Sequence, residues 1–364
     1  MEKIMRERGF LKRESPFLQE FSCKKRLDFR KNGGILKIKQ FMGICFMKIE
    51  EIARLAGVSA STVSRVFSHH PHVSAEVRER VLSVARGHAY HPRLSTRQRN
   101  VVIITPYSSI YPVQCCVEMI LMALTRELPR RGFRLEVLPQ DNLERLETIQ
   151  FCAAAAIGAE PGDFSRWSER FATPLVIIDR DAEKLSPDLH LVRSDEAQGM
   201  ELAIRHLHER GCRRIGCVIH GRPGTGNADL RRAAVAEALR KFGLPGGDTL
   251  IRFGEDAEYL EIIGKLLRHG IDGLFCPGGS GGILSAYALS IFNRKVPEEI
   301  SLVASEQTFF SRYGTPPQTT ITPDYAALAG AVAEVIEARL AGESAPQRRV
   351  FPYLLIPRES VREP

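Results

Sequence analysis

No stretch of the 364 residues approaches the roughly 18 consecutive apolar residues that a bilayer span requires; the runs Phe41 to Met47 and Ala153 to Ile157 are far shorter. The sequence therefore predicts no membrane-spanning helix. The first 31 residues carry charges throughout and lack an apolar segment followed by a small-residue cleavage site, so they do not read as a secretory signal and the chain is expected in the cytoplasm. The eight cysteines form no Cys-x-x-Cys pair and meet no histidine cluster at zinc-ligand spacing, which predicts reduced core thiols. No glycine-rich fingerprint opens a helix. The run PGGSGG at 277–282 is not followed by Gly-Lys-Ser/Thr and lacks P-loop spacing, so it reads as a flexible turn. No nucleophile, base and orienting group occur in motif context, and paired metal ligands are absent too. Neither an enzyme nor a cofactor is expected.

What is present is ordinary globular material, 44% hydrophobic and 26% charged, which argues against a collagenous, coiled-coil or largely disordered chain. Its length suits two or three domains. The formal charge of +8 is unevenly spread: residues 1–46 carry +7, residues 47–99 carry +5, and residues 100–364 carry −4. A small basic module followed by a large, slightly acidic body suggests a polyanion-binding head on a domain with another task.

From Met47 the sequence has helical periodicity. Ile49, Ile52, Ala53 and Ala56 share one face, Gly57 suits a tight turn of positive φ, and Ser59 is a good N-cap for a second helix. In that helix Val63, Val66 and Phe67 face inward, leaving Ala60, Ser61, Ser64 and Arg65 outside. A third helix, capped by Ser74, buries Val77, Val81, Val84 and Ala85. Two helices joined by a glycine turn and braced by a third form a helix-turn-helix, whose second helix can enter the major groove. The outer face of this second helix is small and hydroxyl-bearing with one arginine, unlike the mixed Lys/Glu face of a merely solvated helix. From Val101 onward short apolar runs (VVIIT, RLEVL, AAAAI, PLVIID, RIGCVI, GLFC, ISLVAS) alternate with amphipathic segments (Val113 to Arg131, Gly199 to Arg210, Ala228 to Phe242, Gly282 to Asn293). Repeated βαβ units imply parallel sheets covered by helices; two such sheets fit the length and would offer a cleft between facing strand ends.

The string AGVSASTVSRVF, then VSAEVRERV, then Tyr90 and Pro92, closely resembles the DNA-binding head of the lactose-repressor (LacI) family of bacterial transcription regulators. The body resembles that family's effector domain, similar in fold to periplasmic sugar-binding proteins, through PLVIIDR, VRSDEAQG, HLHERGCRRIG, RRAAVAEAL, GLPGG, DGLFC, VPEEISLVAS and LIPRES. The resemblance implies an all-α head and an α/β body of two doubly wound parallel-sheet subdomains. It implies a regulator, of the repressor type, that binds a near-palindromic double-stranded DNA operator as a homodimer and responds to a small-molecule effector: a sugar, nucleobase or related metabolite. It further implies that Ala60, Ser61 and Arg65 read base edges while Ser59, Thr62, Ser64, Ser68 and His72 hold phosphates. Arginine chemistry agrees, since a guanidinium pairs bidentately with guanine O6 and N7. Read alone, His72 is equally a solvated loop side chain. Arg231 stands where the family anchors its effector, although by itself it would read as a solvated helix arginine beside Arg232.

Departures from the family pattern qualify the effector. Gly278 and Gly279 replace the usual Asn-Asp pair, Glu306 replaces an aspartate, and TPYSSIYP places Tyr107, Ser108 and Tyr111 near the cleft, where an aromatic face suits a ring or simply fills the core. The expected cleft set is thus Tyr107, Ser108, Tyr111, Arg231, Gly279 and Glu306. The family's hinge helix ends in an apolar wedge for the minor groove; here Arg93, Thr96, Arg97 and Arg99 take the matching positions, with Arg99 in place of the wedge. Arg93, Arg97 and Arg99 are accordingly expected to contact phosphate or groove. The expected domains are a basic extension at 1–46, either a disordered arm or an upstream start-site artefact, the head at 47–92, a short hinge at 93–100 and the body at 101–364. A solute-binding protein without an operator is the alternative, against which the attached helix-turn-helix and the missing signal speak.

Residues 1–46 are expected to be dispensable. A chain beginning at Met47 should fold and keep its operator preference in gel-shift titrations; loss of either would contradict this reading.

Overall fold

The computed structural model describes residues 47–67, 72–88, 90, 99–106, 116–171, 173–182, 184–186 and 188–363. Three helices open it: α1 (Ile49–Ala56), α2 (Ala60–Phe67) and α3 (Ala75–Gly87). Each exists for a local reason. Ile52, Ala53 and Ala56 of α1 meet Val63, Val66 and Phe67 of α2 and Val81, Leu82 and Ala85 of α3 in a buried apolar centre. Gly57 has φ of 64°, and its left-handed conformation ends α1, with Val58 N–H donating to the Ala53 carbonyl at 2.9 Å. Ser59 Oγ accepts from Thr62 N–H at 3.1 Å, and Ser74 Oγ accepts from Val77 N–H at 3.3 Å, so both expected caps form. Tyr90 lies edge-on to Phe67, with ring centroids 5.6 Å apart.

The body has two six-stranded sheets. The first contains β1 (Asn100–Thr105), β2 (Arg134–Pro139), β3 (Ala153–Ile157), β4 (Leu175–Ile178), β5 (Leu189–Ser194) and β11 (Arg348–Phe351), in the order β11-β5-β4-β3-β1-β2 and all parallel. The second contains β6 (Ile215–His220), β7 (Ile251–Gly254), β8 (Gly273–Cys276), β9 (Ser301–Ser305), β10 (Thr319–Pro323) and β12 (Tyr353–Ile356), ordered β12-β10-β9-β8-β6-β7, with β12 alone antiparallel to its neighbour. Burial on both faces explains why β3 reads AAAAI and β4 LVII, all fully enclosed. Helices α4 (Cys116–Arg130), α5 (Trp167–Arg170), α6 (Glu196–Glu209), α7 (Ala228–Lys241), α8 (Tyr259–Arg268), α9 (Gly281–Ile291), α10 (Thr308–Tyr313) and α11 (Tyr325–Leu340) provide the crossovers. The chain passes between sheets three times: from β5 through α6 to β6, from β10 through α11 to β11, and from β11 through Pro352 to β12. Leu124 and Leu128 of α4 pack with Val332 and Ile336 of α11 over the first sheet, while Met200, Ala203 and Ile204 of α6 join Ile215 and Val303 beneath the second.

Two boundaries differ from the sequence reading. The first sheet begins at Asn100, and Arg134 N–H already donates to the Arg99 carbonyl at 2.8 Å, so the connection ends before 99 rather than at 100. The PGGSGG run is a tight packed corner, because a Cβ at Gly278, Gly279, Gly281 or Gly282 would lie 2.5, 2.3, 3.0 or 2.7 Å from its nearest neighbour. The absence of side chains there serves close packing, and the expected flexibility is not what those residues provide. Cys152, Cys212, Cys217 and Cys276 are buried thiols, and among the described residues no helix is long and apolar enough to cross a membrane.

Leu124 is wholly enclosed. Leu124→Ala should lower the stability of the body by ~2–5 kcal/mol in urea denaturation, and a loss well under ~1 kcal/mol would show a site able to collapse.

Candidate functional site

In the head, α2 presents the residues singled out from sequence. Ser59, Ser61 and Arg65 are exposed, and Ala60, Thr62 and Ser64 are half-buried. Ser59 Oγ lies 2.8 Å from both Ser61 Oγ and Thr62 Oγ1, gathering three hydroxyls at the start of the helix, where backbone N–H groups and the helix dipole favour an anion. Arg65 follows Ser61 by one helical turn. His72 is exposed. Ser68, Arg93 and Arg97 lie outside the described residues. Arg99 departs from its expected role: its guanidinium lies over the Phe133 ring, 4.2 Å from the centroid, and 3.9 Å from Glu337 Oε1. A planar cation finds both a π face and a carboxylate there, so Arg99 packs as part of the body.

In the body, the carboxyl ends of β4, β6, β8, β9 and β10 converge on a cavity of about 430 Å³, within the range of small-molecule sites. Its floor is an ion pair. Arg231 Nε and Nη2 donate to Glu196 Oε2 and Oε1 at 2.9 and 2.8 Å, and Glu196 also accepts from Tyr353 Oη at 3.0 Å and Asn227 Nδ2 at 3.1 Å. Burial alone would raise the Glu196 pKa; the Arg231 charge and these donors hold it below the usual carboxylate range. The remaining Arg231 nitrogen, Nη1, lies against Gly278, where a Cβ would come within 2.5 Å. Arg231 thus reaches the cavity as expected, but its fork is closed on Glu196 and only one edge faces outward.

Asp179, at the end of β4, has φ of 65°, a conformation that Asp tolerates better than most residues. Its Oδ2 lies 3.5 Å from Arg180 Nη1 and accepts from the Cys116 thiol at 3.7 Å, while Arg180 Nε donates to Glu160 at 3.0 Å. Burial, and then the neighbouring Glu196 charge, push the Asp179 carboxyl up to about 6. His220 packs its ring on Gly279, and its Nδ1 is buried without a hydrogen-bond partner, 3.7 Å from Asp256. Burial lowers the His220 pKa against the opposing Asp256 charge, so the ring is neutral at pH 7. Gly279 lines the cavity through its backbone. Glu306 also lines it, but its carboxylate is held by Arg358 at 3.0 and 3.1 Å and by the Thr320 hydroxyl. Tyr107, Ser108 and Tyr111 lie outside the described residues. Sequence reasoning did not single out Glu196, Tyr353, Asn227, His220 or Asp179 as cleft residues. Asp179 and Glu196 could have been found from their place immediately after the apolar runs PLVII and LHLVRS, near where strands empty into the cleft.

The native pKa of Asp179 stands above its ordinary 3.8, so the fold favours the protonated form and stability falls as pH rises from about 4 to about 6. Asp179→Asn removes this dependence. Its stability relative to the native chain should therefore climb across that window and level off above it, and the Asp179 carboxyl should titrate near 6 by carbon NMR; a midpoint near 4 would contradict the burial argument.

Comparison with known proteins matches both parts. The profile of bacterial regulatory proteins of the lacI family matches residues 48–93, and that of the periplasmic binding protein-like domain matches residues 204–361. The transcriptional regulator GalR of Escherichia coli is 27% identical over 343 residues, covering 87% of this chain and 96% of that protein. The repressor PurR of Mannheimia succiniciproducens is 24% identical over 336 residues, covering 86% and 98%. Among solved structures, the transcriptional regulator CelR–cellobiose complex has a TM-score of 0.63 at 23% identity over 86% of this chain and 99% of that one. The lac repressor dimer bound to operator and the anti-inducer ONPF has a TM-score of 0.60 at 19% identity over 87% and 99%. The two structures share the fold described above. With its head matched by one profile, its body by the other, and relatives aligned from end to end, the chain belongs to the lacI family of bacterial regulatory proteins.

Proposed function

We propose that the chain is a sequence-specific transcription repressor that binds an operator through α2 and is controlled by a small molecule bound in the cleft of its body. The observation that carries this reading is the hydroxyl-rich, arginine-bearing outer face of α2 on a chain whose body holds a 430 Å³ polar cavity at converging strand ends. Residues 47–92 act as the head, 93–98 as the linker and the rest as the effector and dimerisation domain. Ala60, Ser61 and Arg65 read base edges. Ser59, Thr62, Ser64, Ser68 and His72, with Arg93 and Arg97 of the linker, hold phosphates and groove. Asp179, Arg231, Gly279 and Glu306 line the effector site, together with Tyr107, Ser108 and Tyr111. The role is binding without catalysis, in the cytoplasm.

The chain acts as a homodimer on a near-palindromic site. Thr308 Oγ1 donates to Met119 Sδ at 3.3 Å, which sets α10 beside α4. Exposed apolar side chains, Met122 on α4 and Phe309 and Tyr313 on α10, supply a face that a second copy can cover. Relatives of the chain include a protein named sucrose operon repressor, and a solved relative is the complex of CelR with cellobiose. A sugar, a nucleobase or a related metabolite is the effector class that this reading supports.

Selection of bound DNA from a random pool, repeated with a metabolite panel, tests the proposal. A near-palindromic consensus whose binding weakens with one compound is expected; a bound pool without consensus would contradict it. Arg65→Ala should cost ~1–3 kcal/mol at one position of each half-site and relax specificity there, and an equal loss on every sequence would make Arg65 a phosphate contact instead.

A further inference from the structure

The cavity is lined by several charges, yet its cations are already committed. Arg231 closes its fork on Glu196, and Glu196 is further fixed by Tyr353 and Asn227, so the pair has no slack with which to open. Arg180 is held between Glu160 and Asp179, and Arg358 is bidentate on Glu306. The His220 imidazole carries no charge at pH 7. Against these stand the carboxylates of Asp179, Glu255, Asp256 and Glu306 around the same cavity. The stretch 107–115, YSSIYPVQC, contains no charged residue of either sign.

An anionic ligand needs a guanidinium edge with two N–H groups, or an equivalent cluster of donors. The cavity offers instead one outward Arg231 nitrogen beside Gly278, the hydroxyl of Ser280, and the carboxylate of Asp179 as an acceptor. That set matches hydroxyl, amide or ring N–H and carbonyl groups. We propose that Glu196 makes the cavity selective for uncharged effectors, by occupying the Arg231 fork that a phosphate or carboxylate ligand would otherwise take. This deepens the proposed function and rests on the cleft being the effector site. Glu196 acts through Arg231 as a specificity-determining residue without touching the ligand. Replacing its carboxylate by an amide of the same shape leaves Arg231 charged and uncompensated, and so opens the cavity to anions.

Inorganic phosphate is the direct probe, titrated calorimetrically into the full-length native chain and into Glu196→Gln at constant ionic strength. The variant should bind phosphate about tenfold or more tightly than the native chain, in line with the strength of charge-assisted bidentate pairs. Equal affinities, or no phosphate binding by either protein, would overturn the proposal. A second measurement needs no variant: hexoses, nucleosides and their monophosphate esters are compared pairwise on the native chain, by thermal shift and by operator release. No ester should stabilise the protein more than its uncharged parent. An ester that releases the operator better than its parent contradicts the role of Glu196 while leaving the effector reading intact, whereas a complete absence of response to the uncharged parents contradicts both.

Discussion

The cleft depends on one buried ion pair, Glu196 with Arg231. Glu196 is almost wholly enclosed and the Arg231 side chain nearly so, and taking such charges out of water costs several kcal/mol per ion. The geometry offsets that penalty: two charge-assisted hydrogen bonds join the partners, and Tyr353 and Asn227 satisfy the remaining lone pairs of the carboxylate. Removing either partner alone would strand the other charge. The pair also gathers parts that the chain order separates. Glu196 opens the crossover from the first sheet to the second, Tyr353 closes the return, and Asn227 precedes α7 and also donates to the Asp179 carbonyl at 3.3 Å. The floor of the cavity is thus pinned where the two sheets exchange chain.

From that floor the functional logic follows. Asp179 and Arg180 belong to the first sheet, and Arg231, His220, Gly278 and Glu306 to the second, so a ligand touching both sides favours one relative placement of the subdomains. Such a ligand shifts a population by its differential affinity, and a coupling of roughly 1–3 kcal/mol changes operator affinity by roughly 5–150-fold. The head needs no remodelling of its own for this. Its outer face is fixed by the Ser59 cap, the Gly57 turn and the buried seam of Val63, Val66 and Phe67.

The head was legible in the sequence because its information is local. Periodicity, two serine caps and one left-handed glycine determine three short helices, and the structure forms each within a few residues of the expected place. The fully buried strands were legible as apolar runs for the same reason. The edge strands were not: β7 reads IRFG and β11 reads RRVF, half-exposed segments whose pairing depends on partners far away in sequence. The site was legible in its arginine and obscure in its carboxylate. Glu196 looks like an ordinary solvated first-turn acid, and its burial arises from Arg231 and Tyr353, 35 and 157 residues distant. Likewise PGGSGG suggests looseness until the His220 ring and the Arg231 guanidinium are seen resting on its glycines. Arg99 reads as a hinge residue until Phe133 and Glu337 are placed beside it.

The measurement that bears most directly on this account is a double-mutant cycle on the body, comparing the unfolding free energies of the native chain, Glu196→Gln, Arg231→Gln and the double variant. If the pair anchors the cleft, each single substitution costs ~3–5 kcal/mol and the double variant recovers ~2 kcal/mol or more of their sum, because no stranded charge remains. Single effects that simply add, within ~0.5 kcal/mol, would show two independent surface-like residues and contradict the account.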